Sequence, residues 1–210
     1  MKDFKWEDLQ ETALKRGQLV YAFDQERPVE ARGYTVPDNG YCVGLTLRWI
    51  ALRFAGKDYE YNAKGHLGLR ADFEALRSQY KSRETPGGPF ARAAAVLRDF
   101  GISTNPGRSA QLAGAVSADM LINATRAHDG LYYVEMRGKD ENGKDHAHAL
   151  AIQRDSHGAG YRFFDSNEGQ FVLKDTAHFK TFLIWFLKST PYKGEYLTGT
   201  WIVGVNAPAK

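Results

Sequence analysis

The chain is expected to fold as an α+β protein, and three observations point that way. Apolar residues recur at helical spacing through much of the first 127 positions. From residue 131 onward, short runs rich in Val, Ile and aromatic residues take over, bounded by Gly, Asn, Asp and Ser clusters. Helices therefore precede strands, which is not the alternation that builds a parallel βαβ sheet. At 210 residues the expectation is a single compact domain, with 1–37 as an N-terminal helix and loop and 38–210 as the main body.

Residues 5–16 read as a first helix, with Trp6, Leu9 and Leu14 partly on one side. Residues 24–40 read as loop, carrying Pro28, Gly33, Pro37 and an Asp38-Asn39-Gly40 turn signal. The segment 42–55 is the strongest helix prediction. Leu45, Trp49 and Leu52 form one apolar stripe, and Val43, Leu47, Ile50 and Phe54 a second. A helix apolar on two sides is a central one, and Gly56 supplies its stop. Further helices are expected at 69–80, at 90–100 after the Thr85-Pro86-Gly87-Gly88-Pro89 loop, and at the Ala-rich stretch 109–127.

Strands follow at 131–138 and 146–153, joined by the Asn142-Gly143 turn signal as a hairpin. Two more are expected at 161–167 and 171–175, then a helix at 176–189 and a last strand at 199–206.

Composition narrows the function classes. Charged residues make up 25% and apolar residues 43%, as in an ordinary globular protein. A chain of this size buries roughly 70% of its unfolded surface, so its core needs no covalent staple. The single Cys allows no internal disulfide. The net charge of +3 is not concentrated in any block, so nucleic acid is not an expected partner. The polar start, MKDFKWEDLQETALKRG, carries no Sec-type signal peptide, and the longest apolar run, near Phe182–Leu187, is too short for a membrane span.

Cys42 stands at the first turn of the predicted central helix. There, unpaired backbone N–H groups and the helix dipole favour an anionic sulfur, the attacking form of a thiol. A lone Cys is also a small hydrophobe that commonly just packs. His148 lies on a strand with Ala149, Leu150, Ala151 and Ile152 after it, where the backbone holds a ring rigidly enough for proton transfer. Its plainer role is a core His bonded to a carbonyl. Asp165 closes the aromatic strand Tyr161–Phe164, where a carboxylate can orient a histidine; its plainer role is to initiate an Asx-turn. Neighbouring strands and a short connection make His148 and Asp165 plausible lateral neighbours.

His146 shares a strand face with His148 by period-2 geometry. That leaves open His146 as the base, or an HxH metal site. A zinc site would want further ligands, and the sequence has no CxxC and no second Cys, so no metal is expected. His148 is the preferred base because it is embedded in the strand, whereas His146 lies nearer the turn. His66, His128, His157 and His178 fall in loops or at helix ends, where solvation is the default.

Three ordered segments resemble the YopT-type papain-like cysteine proteases, a family of bacterial effectors. They are Asn39-Gly40-Tyr41-Cys42-Val43-Gly44-Leu45 with Trp49-Ile50, His148-Ala149-Leu150-Ala151-Ile152, and Phe163-Phe164-Asp165-Ser166-Asn167-Glu168-Gly169. The similarity runs over about residues 38–190. It implies a papain-like fold, with the helical N-terminal half carrying the nucleophile on a central helix against a C-terminal antiparallel sheet. It implies a catalytic domain at 38–210 in which Cys42 is the nucleophile, His148 the base and Asp165 the orienting group, with no cofactor. It further implies a protein substrate in a host or target cell, reached by secretion, with action in that cell's cytoplasm. A purely cytoplasmic protein is the alternative.

The chain departs from the pattern ahead of the nucleophile. Papain-like enzymes often carry an amide side chain there for the oxyanion, and the position six residues before Cys42 is Val36. Asn39 is the nearest amide, and Gln25 a more distant one. Two other readings stay open: an acyltransferase or amidase toxin with the same triad, and a non-enzymatic binding module with a buried Cys42.

Overall fold

A computed structural model describes residues 13, 18–22, 41–59, 69–139, 142–155, 160–189 and 198–208. The expected helix at 5–16 and loop at 24–40, with Gln25, Val36 and Asn39, lie outside the described residues apart from Ala13. His66 and His157 also lie outside them.

The described strands are β1 (Leu19–Ala22), β2 (Ser103–Ala113), β3 (Gly130–Lys139), β4 (Asp145–Asp155), β5 (Gly160–Asp165), β6 (Gly169–Leu173) and β7 (Gly199–Asn206). The described helices are α1 (Cys42–Phe54), α2 (Leu69–Glu84), α3 (Pro89–Arg98), α4 (Ala118–Thr125) and α5 (Thr176–Ser189). The strands form one seven-stranded sheet in the order β1-β6-β5-β4-β3-β7-β2, and every pairing is antiparallel. The β3–β4 hairpin keeps unbroken register from Gly130↔Arg154 to Lys139↔Asp145.

Both faces of the sheet are covered, and the alternation along β3 shows how. Leu131 and Tyr133 join a core that includes Leu45, Trp49, Leu76 and Val96, from α1, α2 and α3. Tyr132, Val134 and Met136 join a second core with Leu121 of α4 and Phe179, Phe182 and Phe186 of α5. A strand buried on both sides reads as a near-continuous apolar run, and LYYVEM is one interrupted only by Glu135.

The central helix forms where the sequence places it. Leu45, Leu47, Trp49 and Ile50 are all fully buried. Trp49 fastens α1 to the sheet: its ring stacks on Phe164 with centroids 5.5 Å apart, and its Nε1–H donates to Gln170 Oε1 at 2.7 Å. Thr46 Oγ1 donates to the Ala149 carbonyl at 3.1 Å, tying the helix to β4. At Gly44 the helix meets α2 almost backbone to backbone, since a Cβ there would lie 1.9 Å from the Ala75 carbonyl oxygen. Only a residue without a side chain fits.

Residues 109–127 are not the single helix expected of them. The first part belongs to β2, which pairs with β7 from Ser103↔Asn206 to Ala113↔Gly199, with a register shift between Asn105 and Ala110. The helix α4 begins only at Ala118, after Ser117, whose Oγ accepts from the Met120 N–H at 3.2 Å. Ala, Gln and Leu favour helix by local propensity, but pairing along the β7 edge overrides it. The short β1 also went unpredicted, so strands are not confined to the second half.

Candidate active site

Cys42 opens α1 and is 4% exposed. His148 lies on β4 and is equally buried, and Asp165 at the end of β5 is fully buried. Strand register explains why the latter two meet. Asp165 is directly opposite Leu150, so His148, two residues along β4, is its diagonal neighbour on the same face. His148 Nε2 and Asp165 Oδ2 are 2.8 Å apart.

The other Asp165 oxygen holds the turn that follows: Oδ1 accepts from the Asn167 N–H at 2.8 Å. The Glu168 N–H donates to the Asp165 carbonyl, and Gly169 closes the turn at φ 121°, a backbone conformation that suits glycine. One carboxylate thus both contacts the His148 ring and initiates the Asx-turn.

Cys42 acts on the same ring, its side chain helping to raise the His148 pKa. With Nε2 committed to Asp165, the ring nitrogen left for sulfur is Nδ1. Burial is the largest influence on this ring and pulls its pKa down. The charge and hydrogen bond of Asp165, then the contact with Cys42, push it up and prevail, leaving His148 raised to about 10. The imidazole therefore carries its proton at neutral pH. His146 is exposed and 145–147 line the open cleft beside Cys42, so the two histidines of the HxH pair have different surroundings. Among the described residues, no group of three His, Cys, Asp or Glu is arranged to hold a metal ion.

That cleft has a volume of about 490 Å³ and brings Cys42 together with residues the sequence reasoning did not single out. Gln79 of α2 is one. It is 5% exposed, and its Oε1 accepts the Gly44 N–H at 3.0 Å, one of the orphan donors of the first turn of α1. A buried Gln in the otherwise polar LRADFEALRSQYKSRE helix gave no local signal of this.

Glu135 is the other centre. It is 2% exposed, and its Oε1 accepts from Arg92 Nη2 at 2.7 Å and from Arg137 Nε at 2.9 Å. Its Oε2 accepts the Tyr133 hydroxyl at 2.8 Å. Burial, then the Glu135 carboxylate, hold the Tyr133 hydroxyl well above its ordinary pKa, so it stays a donor. The signal was available here: a Glu amid the apolar strand LYYVEM needs cations close by.

Among solved structures, the chain is similar to the Pseudomonas avirulence protein AvrPphB at 14% identity and a TM-score of 0.63, covering 96% of this chain and 100% of that one. That likeness establishes the fold, which is papain-like. It is also similar to PatoxP, a cysteine protease-like domain of the Photorhabdus asymbiotica toxin PaTox, at 10% identity and a TM-score of 0.42, over 93% of this chain and 58% of that one. No curated protein matches. Residues 10–206 match the model of peptidase family C58, described as Yersinia/Haemophilus virulence surface antigen, and the chain belongs to this family of cysteine protease-like bacterial effectors.

Proposed function

We propose that this chain is a cysteine protease that cleaves a protein inside a host or target cell, with Cys42 as nucleophile, His148 as the acid–base group and Asp165 as the residue that fixes the imidazole. The observation that supports the reading is the buried His148–Asp165 pair, 2.8 Å apart, with Cys42 acting on the same ring and lining an open cleft. Family membership supports a protein substrate and the effector role.

In this reading Cys42 rests as a thiolate against the His148 imidazolium. The sulfur adds to the scissile carbonyl carbon, and the carbonyl π electrons move to oxygen. The Cys42 backbone N–H and one amide side chain then hold the oxyanion, a donor of this kind being worth roughly 3 kcal/mol. Asn39 stands just before the nucleophile in sequence. Gln79 is a second candidate, because its anchored Oε1 leaves the amide nitrogen as a donor in the cleft that Cys42 lines. The C–N bond breaks as His148 gives its proton to the leaving amine, leaving a thioester on Cys42. Water, deprotonated by the now neutral His148, hydrolyses the thioester and restores the pair. Asp165 keeps one ring tautomer in place throughout.

The test is a comparison of protein N-termini in host-cell lysate treated with native protein or with Cys42→Ala. New termini that appear only with native protein are expected. Identical terminal profiles would sink the hydrolase reading, and an acyl mass gained by a target without fragments would replace it with acyl transfer.

A further inference from the structure

The cleft wall beside Cys42 carries three guanidinium groups, from Arg83 on α2, Arg92 on α3 and Arg137 on β3. One buried carboxylate, Glu135, pairs with two of them, Arg92 and Arg137. Its charge is already paired: two arginines donate to Oε1 and Tyr133 donates to Oε2, which weakens its pull on a cation arriving with substrate. Asp145, the other acid on the lining, is 91% exposed at the rim and bonds Lys139 at 2.9 Å. The interior of the cleft therefore keeps an excess of positive charge.

Bracing of Glu135 accounts for two of the arginines but not for Arg83, which is exposed and makes no ion pair with any described residue. Arg137 is held on two sides, by its edge on Glu135 and by its face on Trp201, whose ring centroid is 4.8 Å from the guanidinium carbon. Trp201 lines the cleft as well. A guanidinium fixed in this way loses little freedom when it meets a carboxylate.

We propose that Arg83, Arg92 and Arg137 form a subsite for an acidic side chain, Asp or Glu, lying next to the scissile bond of the substrate. The inference rests on the protease reading above and adds the substrate class to it. Charge-assisted, bidentate hydrogen bonds supply the recognition. A Lys or Arg at the same place would be repelled, which makes the subsite selective in both directions.

The experiment compares alkylation of Cys42 by anionic iodoacetate and by neutral iodoacetamide, in native protein and in Arg83→Glu. Arg83 is the variant of choice because Arg92 and Arg137 hold a buried charge and their loss risks the fold. The ratio of the two rates cancels differences in the state of the thiol. It is expected to fall about two- to five-fold on charge reversal and to do so less at high salt. In parallel, cleavage of a proteome-derived peptide library by native protein should enrich Asp and Glu at one position beside the cut, and Arg83→Glu should erase that enrichment.

Both results are required. Alkylation of Cys42 by both reagents with an unchanged ratio, or cleavage without acidic enrichment, overturns the subsite and leaves the protease standing. A Cys42 that neither reagent modifies brings down the protease reading and the subsite with it.

Discussion

The two oxygens of Asp165 have separate partners, His148 and the Asn167 N–H, and that division defines what a substitution would do. Asp165→Asn keeps an acceptor for the turn but removes the charge beside the ring. The His148 pKa, raised to about 10 in the native chain, is then expected to fall, because burial, the largest influence, pulls it down and only the weaker contribution of Cys42 still opposes it. Imidazole NMR titration reads this directly; a ring that stays protonated at pH 8 in Asp165→Asn would contradict it.

Stability follows with a definite sign. A ring whose folded pKa lies above its unfolded value stabilises the fold fully below about pH 6.5. That contribution is lost as pH rises through about 10. Urea midpoints should therefore decline between pH 6.5 and 10 by more in native protein than in Asp165→Asn. At this scale the sequence singled out Cys42, His148 and Asp165 and left two roles open for Asp165, and the fold gives its two oxygens the separate contacts with His148 and the Asn167 N–H. It could not show Gln79 or Arg137 beside Cys42, since they come from α2 and β3, distant in the chain.

Among the elements, α1 determines where the sulfur sits, and the apolar stripes predicted it because they follow from 3.6-residue periodicity alone. Its approach to α2 depends on Gly44, which periodicity treats as neutral. Gly44→Ala would drive a methyl into the Ala75 carbonyl, 1.9 Å away in the native backbone. Overpacking of this kind typically costs about 1–3 kcal/mol. A lowered urea midpoint is the expected result, along with slower alkylation of Cys42 as Gln79 loses its hold on the Gly44 N–H. An unchanged midpoint would mean that α2 yields without penalty. The β2 segment failed as a helix prediction for the complementary reason. Its residues favour helix locally, and their strand state exists only because β7 offers an edge nearly a hundred residues later.

The described residues form one sheet with helices on both faces, and no described helix is long and apolar enough to cross a bilayer. We propose that the chain acts as one compact domain, with 38–210 as its catalytic body. β1 nevertheless pairs with β6, next to the strand that ends in Asp165. Removing residues 1–37 should strip that edge, lowering the urea midpoint and promoting association through the uncovered β6. Equal stability of the 38–210 fragment would show the first segment to be dispensable.

The central helix, the late strands and the candidate roles of Cys42, His148 and Asp165 are legible in the sequence alone, because each signal lies within a few neighbours: an apolar period, a turn signal, a polar group in an apolar run. The tertiary structure alone decided the diagonal contact of His148 with Asp165, the arginine-lined wall and the strand state of 103–113. Each depends on contacts between residues far apart in the chain, whose energies no local pattern contains.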